Sequence, residues 1–376
     1  MRKAFISPTK YVQGENELLN LGYFISTFGK SALLIAHKDD VARVQKQLDE
    51  TQKTFDVDIM VSTFNGECTR EEIKRLQEEA NVKHSDCIVG LGGGKAIDTA
   101  KCVAEGDALI IVPTIAATDA PTSHSAVMYF ADGTFDDYAY FKQSPSVVLV
   151  DTTIIAKAPK RFLAAGIGDA LSTYFEARAN SYSYANINAG LPCGVREGKT
   201  AGAKPTIAAQ TLAEKCYDVI LEDGAQAMIA CENGVVTPAL ENVIEANILL
   251  SGLGFESAGL AAIHAVHDGL TALEPTHHYY HGEKVAFSVI VQLVLEGAEA
   301  AEIDEVMAFS STIGLPICLE DIGVKTISWQ EAMDVAEKAC IPEESIHSMP
   351  FDISVEAVAS AIIAADKIGR AFKESL

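Results

Sequence analysis

Positive charge is scarce in this sequence: 29 lysines and arginines stand against 52 aspartates and glutamates, a formal net charge of −23. That balance argues against a nucleic-acid backbone or an anionic membrane as partner, because both require basic surface. It leaves room for a small anionic cofactor, since a few backbone amides can cradle a phosphate locally. Long hydrophobic runs are also missing; none approaches the length needed to span a bilayer. The opening MRKAFISPTKYVQG has basic residues but no apolar stretch of signal-peptide length. The eight cysteines (Cys68, Cys87, Cys102, Cys193, Cys216, Cys231, Cys318 and Cys340) are scattered and form no CxxC pair. They read as reduced core thiols of a cytoplasmic protein, not as a disulfide framework or a zinc ribbon. No low-complexity tract or fixed-period repeat stands out.

What remains is an ordinary globular composition, 48% apolar and 22% charged, in a chain of 376 residues that is long for one core. Strand and helix signals alternate through the first part. SALLIA, VDIMVSTF, DCIVGLG, ALIIVPT and SVVLVD are apolar runs separated by helical stretches such as VARVQKQLDETQKTF and TREEIKRLQEEANV. Continuous apolar strands between helices indicate a parallel sheet covered on both faces. Beyond KAPKRF strand signals nearly vanish and long helical periods take over. The expected organisation is an α/β domain over residues 1–158 and an all-helical domain over 159–376. The stretch 181–206, rich in Gly, Ser and Asn, reads as a long surface loop between helices.

Two strand ends carry candidate ligand-binding chemistry. GLGGGKAIDTAK follows a strand and opens a helix, so Gly93, Gly94 and Lys95 sit where free amides and the helix dipole suit a pyrophosphate. The stretch is neither a P-loop, which would need glycine at Val89 and a hydroxyl at Ala96, nor GxGxxG, whose third glycine would fall at Lys95. A tight turn without ligand is the competing reading. VPTIAATDAPTSHSAVMY follows the next strand with Thr114, Thr118, Asp119, Thr122, Ser123 and Ser125. Hydroxyls at this density suit phosphate and nicotinamide groups, or equally a hydrogen-bonded turn.

Five of the nine histidines (His264, His267, His277, His278 and His281) fall within eighteen residues. In AGLAAIHAVHDGL, His264 shares a helix face with His267 and with Asp268. Asp169, in GIGDALSTYFEARA, sits at or near a helix start after a Gly-Ile-Gly turn, where an N-cap is its commoner role. A carboxylate with two imidazoles is nonetheless a catalytic zinc set that leaves a fourth position open.

GGGKAIDTAK, TIAATDAPTS, GIGDALSTYFEARA, GFESAGLAAIHAVHDGLTAL and HHYYHGEKVAFS, in this order and over essentially the whole chain, resemble the glycerol dehydrogenases. These form the metal-dependent polyol branch of the iron-containing alcohol dehydrogenase superfamily, relatives of dehydroquinate synthase. The resemblance implies a Rossmann-like parallel-sheet domain followed by an all-α domain, the dehydroquinate synthase-like fold. It implies Asp169, His264 and His281 as ligands of one Zn2+ per subunit, with Asp119 beside the metal against substrate. Gly93, Gly94, Lys95, Asp98, Thr114, Thr118, Ser123, Ser125 and Tyr129 would line NAD. His277 and His278 are left as bystanders, and His267 as a nicotinamide neighbour or a packed helix residue. Iron-type relatives carry a further histidine where Thr173 stands, which favours zinc. One departure concerns the strand SALLIA, which in this family usually ends in an aspartate for the adenosine ribose. That position is His37, followed by Asp39 and Asp40; NAD remains the expected cofactor. The implied reaction is reversible NAD-linked oxidation of glycerol to dihydroxyacetone, and of related vicinal diols, in a cytoplasmic homo-oligomer such as an octamer. Another metal-dependent polyol or phosphopolyol dehydrogenase is the alternative, ranked lower because no basic cluster stands beside the ligands.

Overall fold

The five apolar runs become five strands of one sheet in the computed structural model, which describes residues 2–190 and 202–376. The first part of the chain runs β1 (Lys10–Gly14), α1 (Leu21–Ser26), β2 (Ser31–Ala36), α2 (Lys38–Phe55), β3 (Asp58–Thr63), α3 (Arg70–Lys83), β4 (Cys87–Gly92), α4 (Gly94–Ala104) and β5 (Leu109–Pro113). A hairpin of β6 (Ser125–Tyr129) and β7 (Phe135–Tyr140) follows, then β8 (Val147–Asp151) and the short α5 (Thr152–Ile155). The six-stranded sheet has the order β1-β8-β5-β4-β2-β3 and every pairing in it is parallel.

Both faces of the central strands are buried, which is why those strands read as unbroken apolar runs. In β2, Ala32, Leu34 and Ala36 join the core that includes α1 and α2, while Leu33 and Ile35 face the core that includes α3 and α4. The second core continues from the sheet into the helical half of the chain. β1 is a half-exposed edge strand and β7 is acidic, so neither carries the apolar signature; they and β6 went unrecognised in the sequence.

The remainder is helical: α6 (Lys160–Ser183), α7 (Ile207–Glu232), α8 (Pro238–Glu245), a π turn (Ala246–Leu250), α9 (Ser251–Ala258), α10 (Ala262–Leu270), α11 (His281–Leu295), α12 (Ala300–Ile313), α13 (Trp329–Ala339) and α14 (Val355–Ser375). Among the described residues no single helix is long and apolar enough to cross a membrane. The expected loop 181–206 begins inside α6; Ile187 and Ala203, both buried, pair across an isolated bridge, and residues 191–201 lie outside the described residues.

Two local readings are corrected. The apolar stretch 238–273, which reads as continuous helix, breaks after Ala258 and turns by 104° before α10. Gly259 makes the break with φ +99, packed where a Cβ would meet the Asn180 side chain. Secondly, GIGD is not a turn before a helix: Gly166, Gly168 and Asp169 lie well inside α6. The glycines serve close packing. A Cβ on Gly168 would overlap the Gly282 carbonyl oxygen, and one on Gly282 would overlap that of Ala165. α6 and α11 thus meet backbone to backbone, which sets Asp169 next to the start of α11.

Gly282→Ala is therefore expected to force these helices apart. Thermal melts should show a loss at or above the usual range for overpacking, roughly 1–3 kcal/mol, because the obstacle is the Ala165 backbone carbonyl and cannot rotate away.

Candidate functional site

Three helices deliver the three expected ligands to one point. Asp169 comes from the middle of α6, His264 from the first turn of α10 and His281 from the first position of α11. One ligand atom from each lies within 4.8 Å of the other two. Asp169 Oδ1 is 3.1 Å from His281 Nε2 and 3.6 Å from His264 Nε2. Burial alone would raise the Asp169 pKa, yet His281 and His264 beside it hold it well below the usual carboxylate range.

The back of each imidazole is occupied. His264 Nδ1 lies 2.7 Å from Glu176 Oε2, and His281 Nδ1 lies 3.1 Å from His267 Nε2. His267 Nδ1 in turn lies 3.0 Å from Asp268 Oδ1. Burial and the neighbouring His281 lower the His267 pKa to about 3, so its ring is neutral. Donors are consistent when His267 Nδ1–H donates to Asp268 and His281 Nδ1–H donates to His267. With His264 Nδ1–H donating to Glu176, both ligand rings present Nε2 lone pairs to Asp169. Such a gathering needs a cation at its centre, whether proton or metal. Burial opposes protonation of His264, but Glu176 and Asp169 outweigh it and hold its pKa well above the ordinary value.

Glu176 is the residue that sequence reasoning missed. It is fully buried and accepts hydrogen bonds from the Ala261 and His264 backbone N–H groups, at 2.8 and 3.1 Å, as well as from the His264 ring. It therefore caps α10, whose own preceding residues offer no side-chain cap, and orients the His264 ring at once. The available signal was its spacing: seven residues after Asp169, two turns along the same face of an otherwise apolar helix.

Asp119 stands beside the triad. Its backbone N–H donates to Asp169 Oδ2 at 3.3 Å, and its carboxylate accepts from Ser251 Oγ at 2.8 Å. Loss of hydration in the cleft and the adjacent Asp169 charge push its pKa well above the ordinary carboxylate value. His277 and His278 are exposed on a short turn before α11, apart from this cluster.

The glycine-rich turn leads from β4 into α4. Gly92 has φ +151, a conformation that glycine tolerates, and Gly93 precedes the helix with no side-chain cap on its first amides. A Cβ on Gly94 would meet only Thr118 Oγ1, at 3.9 Å, so the space over the amides is a cradle that a phosphate could fill. Thr114, buried, follows β5, whose end pairs with Gly92 across the sheet. Lys95 pairs with Glu67 and lies 5.4 Å from the centre of the Tyr129 ring. His37 caps α2, its Nδ1 accepting from Asp39 N–H.

Asp98 and Ser123, both expected against the cofactor, are buried and hydrogen-bonded within the protein. Asp98 accepts from Val127 N–H at 3.1 Å and pairs with Lys101. Lys101, almost wholly buried, donates to the Ala120 carbonyl (2.6 Å), Ser123 Oγ (2.8 Å) and the Ser125 carbonyl (2.8 Å). This ammonium ties the segment after Asp119 to α4. Ser125 remains half-buried on the rim.

Comparison with known proteins agrees with this architecture. The family described as iron-containing alcohol dehydrogenase matches residues 8–152. A glycerol dehydrogenase of Pseudomonas putida is 46% identical, with 100% of each chain covered. A glycolaldehyde reductase of Halobacterium salinarum is 43% identical, again with 100% of each covered. The crystal structure of a probable glycerol dehydrogenase from Sinorhizobium meliloti 1021 matches with a TM-score of 0.90 at 42% identity, covering 99% of this chain and 100% of that one. On fold, site geometry and full-length similarity together, the chain belongs to the iron-containing alcohol dehydrogenase family, on its glycerol dehydrogenase branch, and is an oxidoreductase.

Proposed function

We propose that this chain catalyses the reversible NAD-linked oxidation of glycerol to dihydroxyacetone, using one zinc ion held by Asp169, His264 and His281. Residues 1–158 would hold the dinucleotide and residues 159–376 the metal and substrate, in a cytoplasmic homo-oligomer. The observation that carries the reading is the convergence of one carboxylate and two imidazoles within 4.8 Å, each imidazole backed at Nδ1. Oxygen and nitrogen donors of this kind suit zinc. Thr173 supports a three-ligand set: its hydroxyl shares a hydrogen bond of 2.8 Å with Ser251, and its methyl packs against the position where a side chain on Gly254 would begin.

When bound, the cation supplies Lewis acidity to a substrate hydroxyl and the nicotinamide accepts a hydride. The chain's own groups position the reactants. Asp119, with its raised pKa, can share a proton with a second hydroxyl of the diol, while Ser251 fixes the carboxyl's orientation. The amides at Gly93 and Gly94 suit the pyrophosphate, and Lys95 can turn from Glu67 toward it. The relative named glycolaldehyde reductase favours a second reading, in which a small hydroxyaldehyde is the substrate in the reducing direction. Initial rates with glycerol, 1,2-propanediol, glycolaldehyde and glycerol phosphate, followed by NADH absorbance, separate these readings and the phosphopolyol alternative.

Asp169→Asn is expected to lose stoichiometric zinc, measured by elemental analysis, together with turnover, while keeping NADH binding. Glycerol oxidation surviving in a variant without metal would overturn the assignment. Glu176→Gln should retain the fold but weaken zinc binding by about 10–100-fold, the usual effect of removing a carboxylate behind a ligating histidine.

The pH dependence follows from His264. Its folded pKa lies above the ordinary 6.5, so its proton stabilises the metal-free fold fully below pH 6.5, and that contribution is lost as pH rises through the raised folded value. Zinc must displace this proton, so affinity should rise with pH. Calorimetry in buffers of different ionisation enthalpy should count about one proton released per ion.

A further inference from the structure

We propose that Asp40, on the first turn of α2, is the group that makes this chain select NAD over NADP, in place of the strand-end residue His37. The inference rests on the dinucleotide reading above and concerns which side chain meets the adenosine ribose.

The relevant crevice is set by the sheet. β2 and β4 are neighbours, with Ala36 beside Leu91, and the chain leads from β2 outward to β3 on one side and from β4 outward to β5 on the other. Ligands of open parallel sheets bind at such a reversal, beyond the carboxyl ends of the strands. His37, the first residue beyond β2, turns to its own helix: Nδ1 accepts from Asp39 N–H at 3.3 Å and lies 3.5 Å from Asp39 Oδ2. An imidazole used this way is not the acid that holds a ribose diol. Asp39 points to solvent, its side chain 75% exposed.

Asp40 behaves differently. Its side chain is only 13% exposed, and Oδ2 lies 3.6 Å from the place where a Cβ on Gly92 would sit. Gly92 is the first residue of the glycine-rich turn, so this carboxylate stands at the mouth of the phosphate cradle. A carboxylate there can accept both hydroxyls of an unmodified ribose. A 2′-phosphate, carrying about −1.5 to −2 charges, would instead face a like charge at close range.

Arg43 sharpens the argument. It is ion-paired with Asp40 while its own side chain is 60% exposed. In that pair one of its terminal nitrogens donates to Asp40, which holds the guanidinium back from an incoming ligand. Released, it would be a guanidinium at the site of a 2′-phosphate, a group that arginine binds well. The pair is therefore a selector whose preference one substitution can reverse.

The test is binding of ADP-ribose and of its 2′-phosphorylated form to the full chain, by calorimetry, with neither metal nor substrate required. The native protein should bind ADP-ribose and discriminate against the 2′-phosphate. Asp40→Asn should narrow that discrimination by at least about tenfold, through tighter binding of the 2′-phosphate. Adding Arg43→Ala to Asp40→Asn should remove the gain. Asp40→Glu should keep the discrimination, and Asp39→Asn should leave it unchanged; melting curves confirm that each variant folds. The proposal is overturned if Asp40→Asn leaves the ratio where it was, if Asp39→Asn moves it as far, or if the native protein binds both ligands equally. A native protein that binds neither ligand overturns the dinucleotide reading itself, an outcome distinct from the other three.

Discussion

Buried negative charge governs this structure. Asp169 and Glu176 lie on one face of α6 inside an apolar helical core, and neither reaches water. Carboxylates in such surroundings are tolerated only when paired or fully hydrogen-bonded. Glu176 meets that demand with two backbone amides and one ring nitrogen. Asp169 meets it with two imidazoles and the Asp119 amide, all drawn from other segments. The break before α10, the start of α11 and the segment after β5 are thereby fixed around one helix face.

The backbone contact of α6 with α11 makes this possible. Glycines at 168 and 282 remove the side chains that ordinarily keep helices 8–10 Å apart. The cost is a stretch of helix with low intrinsic propensity, offset by tertiary packing. Gly168, with Gly166, also misleads a reader of the sequence. Gly-Ile-Gly before an aspartate looks like a turn and an N-cap, because local chemistry cannot reveal that another helix lies against it.

Much else was legible. Five of the six sheet strands are apolar runs because both faces of the sheet are covered. The glycine-rich turn and the cluster of histidines carried their chemistry openly, and the order of motifs matched a known family. What stayed hidden depended on contacts between distant residues. Glu176 reads as one more charge on a helix until its partners from α10 are seen. The tie between Asp98 and Ser123 is invisible until Lys101, which carries no motif, is found buried between them. His37 reads as the end of a strand, whereas its ring serves the helix that follows.

The buried ammonium of Lys101 has a mechanical consequence. It grips carbonyls on both sides of Ser123 from a helix that begins at the glycine-rich turn. Pulling that segment from α4 would strand a charge in a dry interior, which is costly. The helix that follows the glycine-rich turn and the stretch that bears Asp119 must therefore travel as one rigid plate. Any opening or closing of the cleft has to bend at connections outside residues 98–125.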